Sequence, residues 1–386
     1  MKITDVTATI LAPPEFPHGG PVLVRVRTDS GIEGIGEAGT FSQYGEESQA
    51  VKIITEHCLR KVVHGENPAD FRSIWDKMYA ATFYNARCRD VSVNAISGVD
   101  MAIIDLLGKI EGKPVYRILG GKFREKVRAY CSTIFNRSKP ELTINEIRSY
   151  QDQGFSAVKL GLTFGYGGFG SAAFGLDIKN DVDFVKTVKD AVGDDMDLMI
   201  DGPRTLDYPT AVRIAKELEK LNVFWYEEPI SAEDLNGYAK LAADVTIPIA
   251  MGESERTRYG FMELIEKNTA DILQPDVSWV GGITEAKRIA DMAEDSNYAL
   301  VPHNWGTVLN TAASVHLVAS MKNGFLCEYP NGPRTIEAQE KHELPPMLME
   351  LAVEPIRTRK GFIEVSESPG LGIELNEKKI EQYTLK

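Results

Sequence analysis

The sequence predicts an α/β fold, with buried parallel strands joined by helices and a small α+β module in front. Three observations predict it. From about Val127, short apolar runs alternate with amphipathic segments: Ala157-Val158-Lys159-Leu160, Leu198-Met199-Ile200, Val223-Phe224-Trp225-Tyr226, Ile247-Pro248-Ile249-Ala250, Asp271-Ile272-Leu273, Ala299-Leu300-Val301 and Phe325-Leu326-Cys327. Strand runs of this kind, spaced by helices, are the mark of a parallel sheet. Before them, strands come first and helices follow. Val22-Leu23-Val24-Arg25-Val26-Arg27 alternates apolar and basic residues, and Asp29-Ser30-Gly31 turns the chain into Ile32–Glu37. Helical periodicity then runs over about 46–63, 68–81 and 91–110. Lastly, from about Gly361 the chain returns to mixed, turn-rich sequence that can fold back onto the first module. The rhythm fits a doubly wound sheet and a closed (β/α) barrel equally well.

Bulk properties narrow the class. The 386 residues suffice for one large domain and a smaller one, with 43% hydrophobic and 26% charged residues as in ordinary globular proteins. A net charge of −13 argues against nucleic acid and anionic membranes as partners. No apolar run reads as a bilayer span, and Met1-Lys2-Ile3-Thr4-Asp5 lacks the features of a signal peptide. Cys58, Cys88, Cys131 and Cys327 lie far apart with no CxxC pair, so the expectation is a reduced, cytoplasmic protein.

The chemistry is carried by acidic residues just after strand-like runs. Asp201 follows Leu198-Met199-Ile200, Glu227 follows Phe224-Trp225-Tyr226, and Glu253 closes Ile249-Ala250-Met251-Gly252, with 26 residues between successive members. One acidic residue at a strand end is most often a helix cap or a surface charge. Three at equal spacing point to one place, because the C-terminal strand ends of a barrel converge on one face. Three carboxylates there call for a hard divalent cation, and an all-oxygen set favours Mg²⁺ over zinc. Asp276 lies 23 residues further on and His303 another 27. A carboxylate behind a histidine fixes its tautomer and raises its basicity. Glu328 follows Phe325-Leu326-Cys327 by the same logic and is suited to exchange a proton with a carboxylate oxygen.

Asp201, Glu227 in Tyr-Glu-Glu-Pro, Glu253 in Met-Gly-Glu-Ser, Asp276 in Gln-Pro-Asp, His303 in Pro-His-Asn and Glu328 in Cys-Glu-Tyr-Pro together resemble the mandelate racemase group of the enolase superfamily, and 95–109 resembles the helix before its barrel. The resemblance covers nearly the whole chain. It implies a modified (β/α)7β TIM-like barrel over 125–360, an α+β capping domain over 1–124, and a tail, 361–386, packed on the cap. It further implies one Mg²⁺ held by Asp201, Glu227 and Glu253, His303 backed by Asp276 as base, a small carboxylate substrate and a homo-oligomer. The superfamily is one for which a Lys or His base beside Mg²⁺ is the standard example.

The chain also departs from the group. The second-strand Lys-x-Lys is here Lys159-Leu160-Gly161, which leaves no base on the face opposite His303. The Asp-x-Asn after the first ligand is Asp201-Gly202-Pro203, followed by Arg204, which either holds substrate or makes a surface salt bridge. Lys159 is expected beside the metal site. These departures resemble acid-sugar dehydratases, which take the C2 proton, expel the C3 hydroxyl and give a 2-keto-3-deoxy acid, with His303 serving as base and then acid. Lys159, Arg204, Trp305 and, from cap loops at 13–20 and 40–44, His18, Phe41 and Tyr44 are the expected substrate contacts. The glycine-rich stretch from Gly161 to Gly175 reads as a lid or a surface loop. Other readings are a cycloisomerase or epimerase with Tyr166 as proton donor, and a non-catalytic metal-binding relative. Gly34-Ile35-Gly36-Glu37-Ala38-Gly39 matches the dinucleotide pattern G-x-G-x-x-G but lacks its βαβ setting.

Overall fold

The computed structural model describes residues 1–14, 16–40, 44–82, 89–134, 136, 138–161, 178–333, 340–341 and 350–386. The chain opens with an antiparallel sheet, β1 (Ile3–Ile10), β2 (Val22–Thr28) and β3 (Glu33–Ala38), in that order. Alternation sorts β2 by face. Val22, Val24 and Val26 are buried, while Arg25 and Arg27 meet Glu33 at 2.6 and 2.7 Å on the other side.

The buried face packs on the helix Val91–Glu111, which is started by the Asp90 side chain accepting from Ser92 N and ended by Gly112 in the left-handed region. By length and apolarity this helix passes for a membrane span, contrary to the sequence expectation that nothing would. Its burial between sheet and barrel explains its composition. The glycine pattern on β3 serves the same contact. A Cβ at Gly34 would lie 2.0 Å from the Ala102 carbonyl oxygen, and one at Gly36 2.3 Å from that of Gly98. Strand and helix touch backbone to backbone, so these glycines form a packing seam and no phosphate cradle.

Among the described residues, eight strands then alternate with seven helices: β4 (Lys126–Ile134), β5 (Ala157–Gly161), β6 (Asp197–Asp201), β7 (Trp225–Glu227), β8 (Ile249–Met251), β9 (Ile272–Leu273), β10 (Ala299–Leu300) and β11 (Cys327–Tyr329). Neighbours from β4 to β10 pair in parallel, β11 pairs with β4, and a bridge from Leu300 to Gly324 joins β10 to the segment before β11. The ring is a (β/α)7β barrel. Its interior layer holds Tyr130, Ala157, Met199, Trp225, Ala250, Ile272, Val301 and Leu326.

Period-two alternation carries this layer up to the mouth. Two residues beyond Ala157, Met199, Trp225 and Leu326, on the same inner face, stand Lys159, Asp201, Glu227 and Glu328. After the barrel, a hairpin of β12 (Thr358–Arg359) and β13 (Phe362–Glu364) adds to β4 antiparallel. The final helix Glu377–Tyr383 returns to the cap, where Leu11 bridges Thr384 and Arg25 pairs with Glu377 at 2.8 Å.

The candidate active site

The cap docks on the mouth of the barrel. Gly281 N donates to Ser97 Oγ, Trp75 Nε1 donates to the Gly281 carbonyl, and Asp100 accepts from Thr284 N at the start of helix Gly282–Asp295. Gly39 N donates to the Ser278 carbonyl, and a Cβ there would strike Trp279.

Under this roof Asp201 and Glu227 sit in register at the ends of β6 and β7, with Glu253 two residues beyond β8. Each offers a carboxylate oxygen within 4.8 Å of the others, and all three are buried. Glu227 is fully engaged. Its Oε1 takes Lys159 Nζ at 2.7 Å, and its Oε2 takes Trp225 Nε1 at 3.0 Å and Gln274 Nε2 at 2.9 Å. Asp201 Oδ1 and Glu253 Oε2 accept no hydrogen bond. Burial, then the nearby Glu227, push Asp201 well above the usual carboxylate range. Burial also works to raise Glu253, but Arg204, His303 and Lys159 outweigh it and hold it down at about 2. Buried hard oxygens without donors, beside an Asp201 carboxyl whose charge is opposed, fit a divalent ion such as Mg²⁺.

His303 follows β10. Its Nδ1 lies 2.7 Å from Asp276 Oδ2, and its Nε2 faces Glu253 Oε2 at 3.5 Å. Asp276 is itself pinned, its Oδ1 accepting from Ser278 N, Ser278 Oγ and Asn310 Nδ2 at 2.8, 2.6 and 3.1 Å. Burial would lower the imidazole, yet Glu253, the Asp276 hydrogen bond and Glu328 raise it to about 10. The Trp279 ring lies 5.3 Å from the imidazole, centre to centre.

Glu328 closes the ring of charges. Ser132 Oγ and Trp305 Nε1 donate to its Oε1, Asn304 N donates to its Oε2 at 2.8 Å, and Lys159 Nζ lies 3.3 Å away. Burial would raise this carboxyl, but Lys159 and His303 hold it below its ordinary value. Lys159 is buried at 1% exposure among Glu227, Glu328 and Asp201, the last at 3.6 Å.

The expected site residues fall into two groups. Asp201, Glu227, Glu253, Asp276, His303, Glu328, Lys159 and Trp305 share one network. Arg204 joins it in a part-buried ion pair that departs from the surface bridge considered above. At φ 59°, its Nε meets Glu228 Oε2 at 2.8 Å and its Nη2 meets Glu253. His18 and Tyr44 are exposed on the cap, while Phe41, Tyr166 and the stretch after Gly161 lie outside the described residues.

Sequence reasoning missed Glu228, Gln274, Ser132, Asn304, Asn310 and Glu37. Glu228 carried a signal, since doubled acids at a strand end point to opposite faces and the second needs its own cation. Gln274 was visible in Gln-Pro-Asp as a neighbour of Asp276. Glu37 and Asn310, from different domains, had no local signal.

Comparison with known proteins agrees with this architecture. Residues 143–379 match the family "Enolase C-terminal domain-like", and 18–120 match "Mandelate racemase / muconate lactonizing enzyme, N-terminal domain". The chain is 30% identical to the arabinonate dehydratase of Saccharolobus solfataricus, over 95% of this chain and 91% of that one. It is 29% identical to the D-galactarolactone cycloisomerase of Agrobacterium fabrum, over 100% and 99%. The crystal structure of the 3,6-anhydro-D-galactonate cycloisomerase of Zobellia galactanivorans superposes with a TM-score of 0.85 at 31% identity, covering all of both chains. With a carboxylate triad, a histidine–aspartate pair and a capped (β/α)7β barrel in one chain, this protein belongs to the mandelate racemase subgroup of the enolase superfamily.

Proposed function

We propose that this protein is a Mg²⁺-dependent lyase acting on a sugar acid, aldonate or aldarate, which removes the C2 proton and expels the C3 hydroxyl to give a 2-keto-3-deoxy acid. The observation that carries the proposal is the one-sided placement of acid–base groups. The imidazole of His303 borders the carboxylate triad, while the second-strand position that would oppose it is Gly161. Glycine moves no proton, so both transfers fall to one base, as elimination allows and racemisation does not.

The residues divide the work. Asp201, Glu227 and Glu253 would hold the ion, whose charge stabilises the negative charge developing on the substrate carboxylate. Asp276 keeps the Nδ1 proton of His303 in place, so Nε2 takes the C2 proton. Glu253 and Glu328 then stabilise the imidazolium, which returns its proton to the departing C3 oxygen. Lys159 keeps Glu227 and Glu328 from repelling each other. Glu328 stands as an acceptor anchored by Ser132 and Asn304, and Trp305 is placed beside it to meet substrate. Segment 1–124 acts in this proposal as the cap over a barrel of 125–360, in a homo-oligomer; of the tail 361–386 expected on the cap, β13 joins the barrel at β4 instead, and the final helix packs on the cap.

Cycloisomerisation is the second reading, favoured by the similarity to two cycloisomerases. The same residues serve it: when the C3 oxygen is part of a ring, its departure opens the ring and no water is lost. A screen of mono- and diacid sugars and their lactones or anhydro forms with Mg²⁺, following 2-keto products by semicarbazide, tests both. A product lighter than substrate by one water supports the dehydratase; one of equal mass supports the cycloisomerase. A blank across the panel with Mg²⁺ bound contradicts both.

A further inference from the structure

Glu37 belongs to the cap, on β3, yet its carboxylate is spent on the barrel. Thr307 N donates to both of its oxygens at 3.1 and 3.0 Å, Thr307 Oγ1 to Oε2 at 2.5 Å, and Asn310 N to Oε2 at 3.2 Å. Thr307 is the N-cap of helix Val308–Ala319, whose first amides have no partners within the helix and whose positive end favours an anion. The turn that carries His303 presses against the same carboxylate. A Cβ at Gly306 would lie 2.5 Å from Glu37 Oε1.

The first helical turn passes this contact inward. Asn310 Nδ2 donates to Asp276 Oδ1 and to Asn304 Oδ1, each at 3.1 Å. Asp276 holds His303 Nδ1, and Asn304 N holds Glu328 Oε2. One amide therefore ties together the carboxylate behind the imidazole and the loop that carries Glu328's main-chain donor. Every link is buried, so a lost acceptor is not replaced by water.

The geometry points to Glu37 as a positioning residue, supplied by the cap, that orients the Asp276–His303 pair and Glu328 through Thr307 and Asn310. The inference rests on the reading of His303 as the base. It gives the cap a part in assembling the base in addition to covering the substrate. Without the Glu37 carboxylate, Thr307 and Asn310 lose their acceptor, the first turn loosens, and Asn310 no longer fixes Asp276. A shift of about an ångström in such a group can cost 100-fold in rate.

Three variants test it: Glu37→Gln, Asn310→Ala and, as control, Asp105→Asn. Asp105 is an equally buried carboxylate that holds β3 at Ile35 N and the tail at Leu371 N, with no link to Asn310. The readouts are the Nδ1 proton resonance of His303, assigned by its loss in His303→Asn, the melting temperature, and kcat and KM. Glu37→Gln and Asn310→Ala are expected to shift or broaden that resonance and to lower kcat about tenfold or more, with KM changed by less than about twofold. Asp105→Asn is expected to melt earlier and leave the resonance in place. The inference is overturned if Glu37→Gln melts earlier while the resonance and kcat stay as in the parent, or if Asp105→Asn disturbs the resonance equally. Should Glu37→Gln not fold, Glu37→Asp, whose shorter arm withdraws the carboxylate from Thr307 and Asn310, is read in its place against the same outcomes. The resonance needs no substrate, so a protein that turns over no sugar acid still answers this question, and the two readings fail separately.

Discussion

Asp276 Oδ2 stands 2.7 Å from His303 Nδ1, and this contact decides which nitrogen of the imidazole is left to react. With Nδ1–H donated to the carboxylate, Nε2 on the side of the carboxylate triad is the nitrogen that exchanges a proton, once a cation on the triad offsets the Glu253 charge that otherwise holds the imidazole protonated. His303→Asn should lower kcat by roughly 10² to 10⁴-fold, the range for a general acid–base group, with the fold intact by circular dichroism. Asp276→Asn should follow it in direction. A variant at either position with near-parental turnover would remove the pair from the mechanism.

Lys159 is buried among three carboxylates. Lys159→Met leaves Glu227 and Glu328 facing each other without a cation, a loss of about 3–5 kcal/mol by the usual cost of breaking a buried pair. Denaturant unfolding should show this most strongly in chelator, and saturating Mg²⁺ should recover part of it.

Asp201 is held well above the usual carboxylate range because burial and Glu227 oppose its charge. The triad is thus poised to gain stability from a cation. Mg²⁺ at 100 times its dissociation constant should stabilise the protein by about 2.7 kcal/mol, seen as a rise in melting temperature. Asp201→Asn should abolish that rise while leaving the metal-free protein as stable as the parent or more so. A metal-dependent rise that survives in this variant would contradict the ligand assignment.

Glu37 carries a pH signature of its own. Burial raises its carboxyl, the Thr307 hydrogen bonds lower it, and Asp276 raises it again, to a net value of about 7 against an ordinary 4.5. The folded state therefore binds this proton more tightly than the unfolded chain. Stability from this group is fully present below about pH 4.5 and falls as the pH rises towards 7, by an amount on the order of 3 kcal/mol. Glu37→Gln cannot titrate, so its stability relative to the parent should improve over that window. A parallel pair of stability–pH curves would show that the group is not shifted.

Gly36→Ala tests the packing seam. The added methyl would lie 2.3 Å from the Gly98 carbonyl oxygen and 2.6 Å from Ala102 N, both backbone atoms that cannot step aside. A loss of about 1–3 kcal/mol or more is expected in chemical denaturation. The parent should show no NAD binding by fluorescence titration.

The legible part of the site is the part built by strand alternation. Asp201 and Glu227 end apolar strands, and Glu328 lies within one, whose inward residues recur every second position, so both spacing and face were visible in the chain. Glu253 stands two residues past its strand, after Gly252 at φ 122°, and only the 26-residue interval marked it. Strand rhythm left the barrel and the doubly wound sheet open; the family resemblance implied the barrel, and the pairing of β11 with β4, a contact between residues about 200 apart, closes it. Glu37 sat in a hairpin strand inside a glycine pattern that mimics a nucleotide motif, and its partner Thr307 lies 270 residues on. Arg204 was recognisable as a cation near the first ligand, but its carboxylate partners depend on how two strand ends splay.

In the proposed mechanism one histidine both removes the C2 proton and assists departure of the C3 oxygen. The most direct measurement follows, for an active sugar acid in D₂O with Mg²⁺, deuterium exchange at C2 of recovered substrate together with product formation, in the parent and in His303→Asn. His303→Asn is expected to lose both together. Exchange that persists in His303→Asn while elimination stops would place the base elsewhere and contradict that mechanism.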